Sequence, residues 1–353
     1  MVLSTRLEWR DLRPLFGEIV ERWETDDEIK GGSRMTFVRY QHIVKLDAGD
    51  AKGLTDGLCH VFPKMDGSNG SVFVEEDGIR CASRNQKLDG NHPMTKWALG
   101  NPGIVSLLSD HPRLRLYGEW MVPHTIRDYT DDTWNRLLVF DVVTDTGEFH
   151  AEFDDDEGHA VLDHSGDAYI PYSVYSRLLD HYGVEYIPET ATVDFPTESQ
   201  LMELADTAST YRVKDGGVGE GIVVKRYGYR NLGGEEVWAK VLSSRFGAMK
   251  GYQLSRRQKT DGSVEDKIAT DSVTVHLVEK EYAKIAAETG GYVHPARLLG
   301  VVWKCVIDEC LWDEIRKHGN PTIDFRRLKA NVERLVKTAK PELYGGVRDG
   351  DAR

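Results

Sequence analysis

The residues of this chain with the clearest chemical potential lie in one short stretch, Lys64-Met65-Asp66-Gly67-Ser68-Asn69-Gly70. The amine of Lys64 could attack a phosphate, Asp66 could orient a ribose or the lysine itself, and Asn69 offers a hydrogen-bonding amide. The two glycines would let the backbone come close to a ligand. Taken alone, the stretch fits a turn between two strands better, because Asp-Gly and Asn-Gly are common hairpin signals. The rest of the chain must therefore decide between the two interpretations.

Five further stretches follow this lysine in order, and each lies on or beside a short β-rich run. They are Ala82-Ser83-Arg84-Asn85, Leu116-Tyr117-Gly118-Glu119-Trp120, Leu138-Val139-Phe140-Asp141, Glu220-Gly221-Ile222-Val223-Val224-Lys225 and Val237-Trp238-Ala239-Lys240-Val241. If the first stretch were only a turn between two strands, there would be no reason to expect these later stretches. The ordered set resembles the motifs of the covalent nucleotidyltransferase superfamily, which comprises ATP-dependent DNA ligases, mRNA capping enzymes and RNA ligases. The resemblance covers residues 62–246.

The resemblance implies that Lys64 attacks the α-phosphate of ATP, forms a lysyl-adenylate and releases pyrophosphate. A lysine is mostly protonated at neutral pH, because its ordinary pKa is about 10.4. Nearby cations favour the neutral amine that can attack, and Lys225, Lys240 and a bound Mg²⁺ ion are the candidates.

The two motif glutamates are predicted metal ligands. By resemblance, Glu119 would contact the ribose, and Glu220 would orient the lysine or a metal ion. Carboxylates are hard oxygen ligands, which suit Mg²⁺ or Mn²⁺ in a phosphoryl-transfer site. An isolated glutamate on a strand would more commonly be solvated, so the prediction depends on the motif contexts.

Arg84 and Phe140 complete the nucleotide contacts that the resemblance implies. Arg84 would meet a phosphate, and Phe140 would stack on the adenine. Core packing is the alternative for Phe140, because its neighbours in the chain are apolar. The predicted nucleotide site consists of Lys64, Asp66, Gly67, Asn69, Arg84, Glu119, Phe140, Glu220, Lys225 and Lys240.

The last motif departs from the family pattern. Lys225 and Lys240 would neutralise charge that builds on the α-phosphate during transfer. Many relatives have two lysines in the last motif, separated by one residue. Here Trp238 and Leu242 stand at that distance on either side of Lys240, so the role of the second lysine is unassigned.

Two features favour RNA ligases of the nick-sealing phage type within the superfamily. DNA ligases and capping enzymes usually have arginine where this chain has Asn69, whereas these RNA ligases often have asparagine. DNA ligases and capping enzymes also follow the last motif with an OB-fold barrel, which needs several short strands. The pattern here is helical, with predicted helices at 272–288, 296–317 and 324–337 and a predicted linker at 259–267.

The predicted fold is α+β, with an antiparallel-sheet nucleotidyltransferase domain followed by a smaller helical domain. At 353 residues the chain exceeds the length at which one core usually divides. We predict an adenylation domain at 1–260, including an N-terminal helical segment that ends near Gly32, and a helical C-terminal domain at 261–353. Basic residues in the last predicted helix could form a polynucleotide-binding face or an ordinary solvated face.

The composition of the chain bears on whether the protein binds nucleic acid or a membrane, and on the cellular compartment where it works. The net charge of −13 does not favour binding to the negatively charged backbone of a nucleic acid. The stretch 240–259, however, carries six basic residues and no acid. No apolar run approaches the ~20 residues that span a bilayer. The four cysteines lack a paired zinc or disulfide pattern. We therefore predict a cytoplasmic protein without a membrane partner.

The predicted reaction joins RNA 5′-phosphate and 3′-hydroxyl ends through a lysyl-AMP intermediate and an adenylated RNA end, with ATP and Mg²⁺ or Mn²⁺. Three RNA substrates stay open: a nicked duplex, a broken tRNA loop or a single strand. Two alternatives stay open for the protein, namely a DNA ligase-like nick sealer and an inactive nucleic-acid-binding relative. The sequence makes no prediction about the oligomeric state.

Overall fold

A computed structural model describes residues 36–123, 126–145, 148–152, 157–161, 168–215, 217, 219–246 and 262–344. The predicted N-terminal helical segment lies outside these residues, and so does the predicted domain boundary at 260–261. The chain divides into two compact units, one made of Met1–Val122 and Asp128–Ser243 and the other of Pro123–Arg127 and Ser244–Arg353. The domain assignment of 1–260 and 261–353 stays a prediction.

The first unit contains short strands that connect through turns and short helices. Its strands are β1 (Val44–Lys45), β2 (Leu58–Lys64), β3 (Ser68–Glu75), β4 (Gly78–Ser83), β5 (Leu114–Trp120), β6 (Leu137–Thr144), β7 (Glu148–Glu152), β8 (Glu157–Val161), β9 (Ala168–Tyr169), β10 (Ala191–Asp194), β11 (Gly221–Lys225) and β12 (Ala239–Leu242). Its helices are α1 (Pro93–Leu99), α2 (Pro102–Asp110), α3 (Tyr172–His181) and α4 (Glu198–Thr207).

These strands form two five-stranded sheets and a separate β7–β8 hairpin. The first sheet has the order β1-β12-β11-β2-β10, and the second has the order β4-β3-β5-β6-β9. All pairs in the two sheets are antiparallel except β1, which runs parallel to β12. The predicted antiparallel architecture is confirmed.

Alternation along each strand divides the side chains between two faces. On one face of the first sheet, Cys59, Val61 and Ile222 pack with Leu201 and Ala205 of α4. The second sheet packs its own apolar face against helices α1, α2 and α3.

The remaining faces of the two sheets meet in what we call the aromatic cluster. It consists of Tyr40, Tyr117, Val143, Val223 and Trp238, with Ile43, Phe140, Tyr169 and Tyr227 packed against them. Because the cluster draws residues from both sheets, it is a contact between the two sheets, and we call the space between their facing sides the cleft.

The second unit is helical over residues 262–344. Its helices are α5 (Val264–Ser272), α6 (Val275–Glu288), α7 (Pro295–Cys305), α8 (Leu311–Lys317) and α9 (Phe325–Ala339), and a π-helical turn, Val306–Cys310, joins α7 to α8. Ile268, Val278, Leu298, Val302 and Leu328 are among its buried core residues. Within the described residues, no helix is both long and apolar enough to cross a membrane.

Two predictions for this region were wrong in detail. The predicted linker at 259–267 overlaps α5, which begins after Ser263 because the Ser263 side chain accepts a hydrogen bond from the backbone of Asp266. The predicted helix at 272–288 begins later, at Val275, because Thr274 caps it by accepting from Leu277. Local capping therefore determines both starts.

Candidate active site

Lys64 forms an ion pair with Glu220 at the end of two neighbouring strands. Lys64 is the last residue of β2 and lies opposite Gly221, the first residue of β11. The Nζ atom of Lys64 is 2.6 Å from Oε2 of Glu220, and the two side chains are 17% and 7% exposed. The pair is therefore largely shielded, but its lysine still reaches solvent.

Gly221 makes this approach possible. Its φ of +149° lies in a region that favours glycine, and an added Cβ would lie 2.1 Å from the carbonyl oxygen of Val241. The amide of Ser243 donates to the carbonyl of Glu220 at 3.0 Å, which fixes the residue before the glycine. The position of the Glu220 carboxylate thus depends on close contact between β11 and the end of β12.

The turn between β2 and β3 holds the second motif glutamate. The backbone amide of Gly67 donates to Oε1 of Glu119 at 2.9 Å, and Asn69 lies opposite Glu119 in the β3–β5 pair. The side chain of Asp66 is fully buried, and the backbone amide of Asp66 donates to the Tyr129 hydroxyl at 2.9 Å. Asp66, Gly67, Asn69 and Glu119 are therefore brought together beside Lys64.

We expect Gly67→Ala to disturb this turn, because the new Cβ would lie 2.7 Å from Cγ of Glu119 and 2.8 Å from the backbone oxygen of Trp120. Such overpacking should lower the free energy of unfolding by about 1–3 kcal/mol in a urea titration. Gly70→Ala is the matched control, since its nearest neighbours are the terminal atoms of the flexible Met94 side chain. Equal losses in the two variants would contradict this explanation.

Lys225 lies away from the Lys64 pair, inside the cleft. Its ammonium group donates to Oδ1 of Asp141 at 2.7 Å and to the carbonyl oxygen of Phe140 at 2.6 Å. The hydroxyl of Tyr40 donates to the other oxygen of Asp141 at 2.5 Å, and the Phe62 ring centroid is 4.7 Å from the ammonium. Lys225 and Asp141 are 2% and 0% exposed, so an aromatic shell encloses the pair.

Burial acts on the two charges of this pair in opposite directions. It lowers the pKa of Lys225 and raises the pKa of Asp141, because each charged form loses its hydration. Their mutual attraction opposes both shifts. The charge of Lys225 is thus already balanced by Asp141, and the predicted contact of Lys225 with an α-phosphate stays a prediction.

The remaining three of the ten predicted site residues lie on different elements of the fold. Phe140 is half-buried on β6, and its ring meets that of Tyr40 edge-on with centroids 4.9 Å apart. Lys240 is half-buried on β12, opposite Val223. Arg84 is half-buried in the turn that follows β4. Adenine stacking and core packing both remain compatible with the position of Phe140.

The sequence analysis missed Asp141 and Tyr40 as members of the site. Asp141 had a signal, because it is an acid that directly follows Phe140 within an apolar strand. An acid in such a strand is expected to be buried with a cationic partner. Tyr40 precedes every motif and carries no comparable signal.

The two motif glutamates have the donor chemistry that a divalent cation requires. Both offer carboxylate oxygens, and both lie next to the nucleophile motif, Glu220 through its ion pair with Lys64 and Glu119 through Gly67. Hard oxygen donors of this kind fit Mg²⁺ or Mn²⁺. Their assignment as metal ligands stays a prediction.

Comparisons with known proteins identify the family. A family model described as RNA ligase matches residues 59–242. No curated protein matches the sequence at a significant level.

Several solved structures of an RNA ligase from Naegleria gruberi are similar to this chain. An apo mutant has 17% identity and a TM-score of 0.43 over 60% of this chain and 58% of its own. A mutant with ATP and Mn has 18% identity and a TM-score of 0.43 over 62% and 59%. The form with PPi has 16% identity and a TM-score of 0.41 over 63% and 62%. The chain thus spans about three fifths of the length of these proteins.

The family match runs from the second residue of β2 to the last residue of β12. It therefore contains all ten predicted site residues, as well as β2 and β11, at whose ends the Lys64–Glu220 pair lies. The match covers more than half of the 353 residues, and this chain belongs to the RNA ligase family.

Proposed function

We propose that this protein is an ATP-dependent ligase that joins RNA 5′-phosphate and 3′-hydroxyl ends through an AMP group carried on Lys64. The observation that carries the proposal is the Lys64–Glu220 ion pair, which holds a partly exposed lysine amine at the ends of β2 and β11, inside the region that the family model matches.

The first step transfers AMP from ATP to the enzyme. The Nζ atom of Lys64 loses a proton and attacks the α-phosphorus. A phosphorus–nitrogen bond forms, the bond to the β-phosphate oxygen breaks, and pyrophosphate leaves with the electron pair. The Glu220 carboxylate, 2.6 Å from Nζ, orients the amine and is placed to accept its proton.

The second and third steps use the stored AMP group. An oxygen of the RNA 5′-phosphate attacks the lysyl-AMP phosphorus, the phosphorus–nitrogen bond breaks, and the lysine amine regains a proton. The RNA 3′-hydroxyl then loses its proton and attacks the activated 5′-phosphate. The phosphodiester forms, the bond from that phosphorus to the AMP oxygen breaks, and AMP leaves with the electron pair. Lys64 returns to its starting state, as catalysis requires.

A bound Mg²⁺ or Mn²⁺ ion would neutralise phosphate charge during transfer. The carboxylates of Glu119 and Glu220 would hold it. Glu119 accepts the amide hydrogen of Gly67, so the turn that follows the nucleophile fixes its direction. Asp66 and Asn69 lie on the same turn and strand, where they would contact the nucleotide.

The helical domain predicted at 261–353 would engage RNA. On α9, Arg326, Lys329 and Lys337 are exposed. Three basic side chains are paired within the same unit: Lys337 lies 4.0 Å from Glu333, Arg334 binds Asp266 at 2.7 Å, and Lys340 binds Glu279 at 2.8 Å. The proposed RNA face is therefore narrower than the basic composition of the helix indicates. The basic stretch at 247–259 lies outside the described residues.

Sealing of nicked duplexes tests the proposal directly. We expect the full chain, with ATP and Mg²⁺, to seal a nick whose 3′-hydroxyl strand ends in RNA at least about tenfold faster than the same nick ending in DNA. A site that hydrogen-bonds the 2′-hydroxyl leaves a buried polar group unpaired with DNA, which costs about 1–3 kcal/mol. Faster sealing of the DNA-ended nick would favour a DNA ligase instead. Failure on both nicks, together with no self-adenylation, would favour the inactive binding protein.

A further inference from the structure

The last motif provides one cation, Lys240. Trp238, two residues before Lys240, is fully buried in the aromatic cluster. Leu242, two residues after Lys240, is half-buried and lies opposite Gly221. Neither position supplies positive charge, so any cation directly beside Lys240 comes from a neighbouring strand.

Lys45 lies directly beside Lys240 on the neighbouring strand. The parallel pair β1–β12 places Val44 opposite Ala239 and Lys45 opposite Lys240. The amide of Val44 donates to the carbonyl oxygen of Trp238 at 3.1 Å, which fixes this register. Residues opposite each other in neighbouring strands point to the same face of a sheet.

The packing of the neighbours of Lys45 identifies that face. Val44 and Leu46 pack against the core that contains Cys59 and Val61, on the face covered by α4. Ile43 packs against the aromatic cluster, on the cleft face. Because alternate residues of a strand share a face, Lys45 points to the cleft side together with Ile43.

Lys45 also differs from the motif lysines in its surroundings. Lys64 is paired with Glu220, and Lys225 is paired with Asp141. Lys45 is exposed, and in the part of the chain that the structure describes its ammonium group has no hydrogen bond or ion pair. Its charge is therefore available to an anion.

The strand order places Lys45 on the far side of Lys240 from Lys64. The order β1-β12-β11-β2 puts three strand spacings, or about 14 Å, between β1 and β2. In phosphoryl-type transfer, the attacking and leaving atoms lie roughly in line on opposite sides of the phosphorus. When Lys64 attacks the α-phosphate, the pyrophosphate must therefore leave in a direction away from β2.

From this arrangement we propose that Lys45 binds the β- and γ-phosphates of ATP and stabilises the pyrophosphate that leaves when Lys64 is adenylated. This inference rests on the proposed ligase function. It assigns a leaving-group contact to an edge strand that precedes the nucleophile motif. It also gives Lys240 a neighbouring cation on the adjacent strand.

The test compares steps that involve pyrophosphate with a step that does not. In the full chain, Lys45→Ala should slow self-adenylation at low ATP concentration by about tenfold, the effect of losing one charged phosphate contact. It should raise by a similar factor the pyrophosphate concentration needed to convert the lysyl-AMP enzyme back to ATP. Sealing of RNA supplied already adenylated should not change, because no pyrophosphate takes part.

Two variants control this experiment. Lys52→Ala removes the same charge from another exposed lysine near β1. It should leave the self-adenylation rate, the pyrophosphate concentration needed for the reverse reaction and the sealing rate unchanged. Lys45→Arg keeps the cation and should retain most of the activity with ATP and with pyrophosphate. Folding of each variant is checked by circular dichroism.

The outcomes separate this inference from the proposed function. A wild-type protein that does not self-adenylate would overturn the ligase proposal and, with it, the role of Lys45. If the wild type is labelled and Lys45→Ala behaves as Lys52→Ala does, only the role of Lys45 is wrong. An equal loss in the sealing of adenylated RNA would also overturn that role, because it would indicate a contact with RNA.

Discussion

Incubation with α-labelled ATP and Mg²⁺ will label the wild-type protein and leave Lys64→Ala and Lys64→Arg unlabelled. We expect a complete loss, because in the proposed mechanism the Nζ atom of Lys64 forms the bond to phosphorus. Lys64→Arg is the sharper variant. It keeps a cation beside Glu220, but a guanidinium group does not lose its proton in proteins and cannot act as the nucleophile.

The chemistry of the labelled protein provides a second measurement. A phosphorus–nitrogen bond to lysine should resist alkali and break in acid. Lys87→Ala is the matched control, because Lys87 also pairs with a glutamate, Glu75, within the same unit but lies outside the predicted site. Label on Lys64→Ala, or loss of label from Lys87→Ala, would contradict the assignment of the nucleophile.

Asp141→Asn should be the most destabilising of the substitutions considered for the cleft. The change keeps the shape of the side chain but leaves the ammonium of Lys225, which is 2% exposed, without a counter-charge. Removing one partner of a buried ion pair typically costs about 3–5 kcal/mol, because the other charge stays buried. Urea unfolding of the full chain will show this loss as a lower midpoint.

A double variant and an exposed pair complete this experiment. Asp141→Asn combined with Lys225→Met removes both charges, and we expect it to cost less than the sum of the two single changes. Arg113→Ala breaks an ion pair with Asp145 whose arginine is 44% exposed, and it should cost no more than about 1 kcal/mol. If Arg113→Ala and Asp141→Asn lower the free energy of unfolding by similar amounts, the explanation based on burial of the Lys225–Asp141 pair is wrong.

The family and the class of fold could be predicted from the amino-acid sequence. The ordered motifs lie on short β-rich runs, and the local alternation of apolar residues predicted antiparallel sheets followed by helices. These signals are readable because each depends on residues a few positions apart. Errors at this level were local as well: the cap at Ser263 placed the start of α5 inside a predicted linker, and the cap at Thr274 moved the start of α6.

The pairing of the charged groups, in contrast, is visible only in the folded structure. Lys64 and Glu220 are 156 residues apart, Lys225 and Asp141 are 84 apart, and Tyr40 and Asp141 are 101 apart. Their contacts depend on the register of strands and on how the two sheets face each other, and no short-range pattern specifies either property. Lys45 shows the same limit, because its position beside Lys240 follows from one parallel strand pair. A one-residue shift of that pair would turn Lys45 to the opposite face.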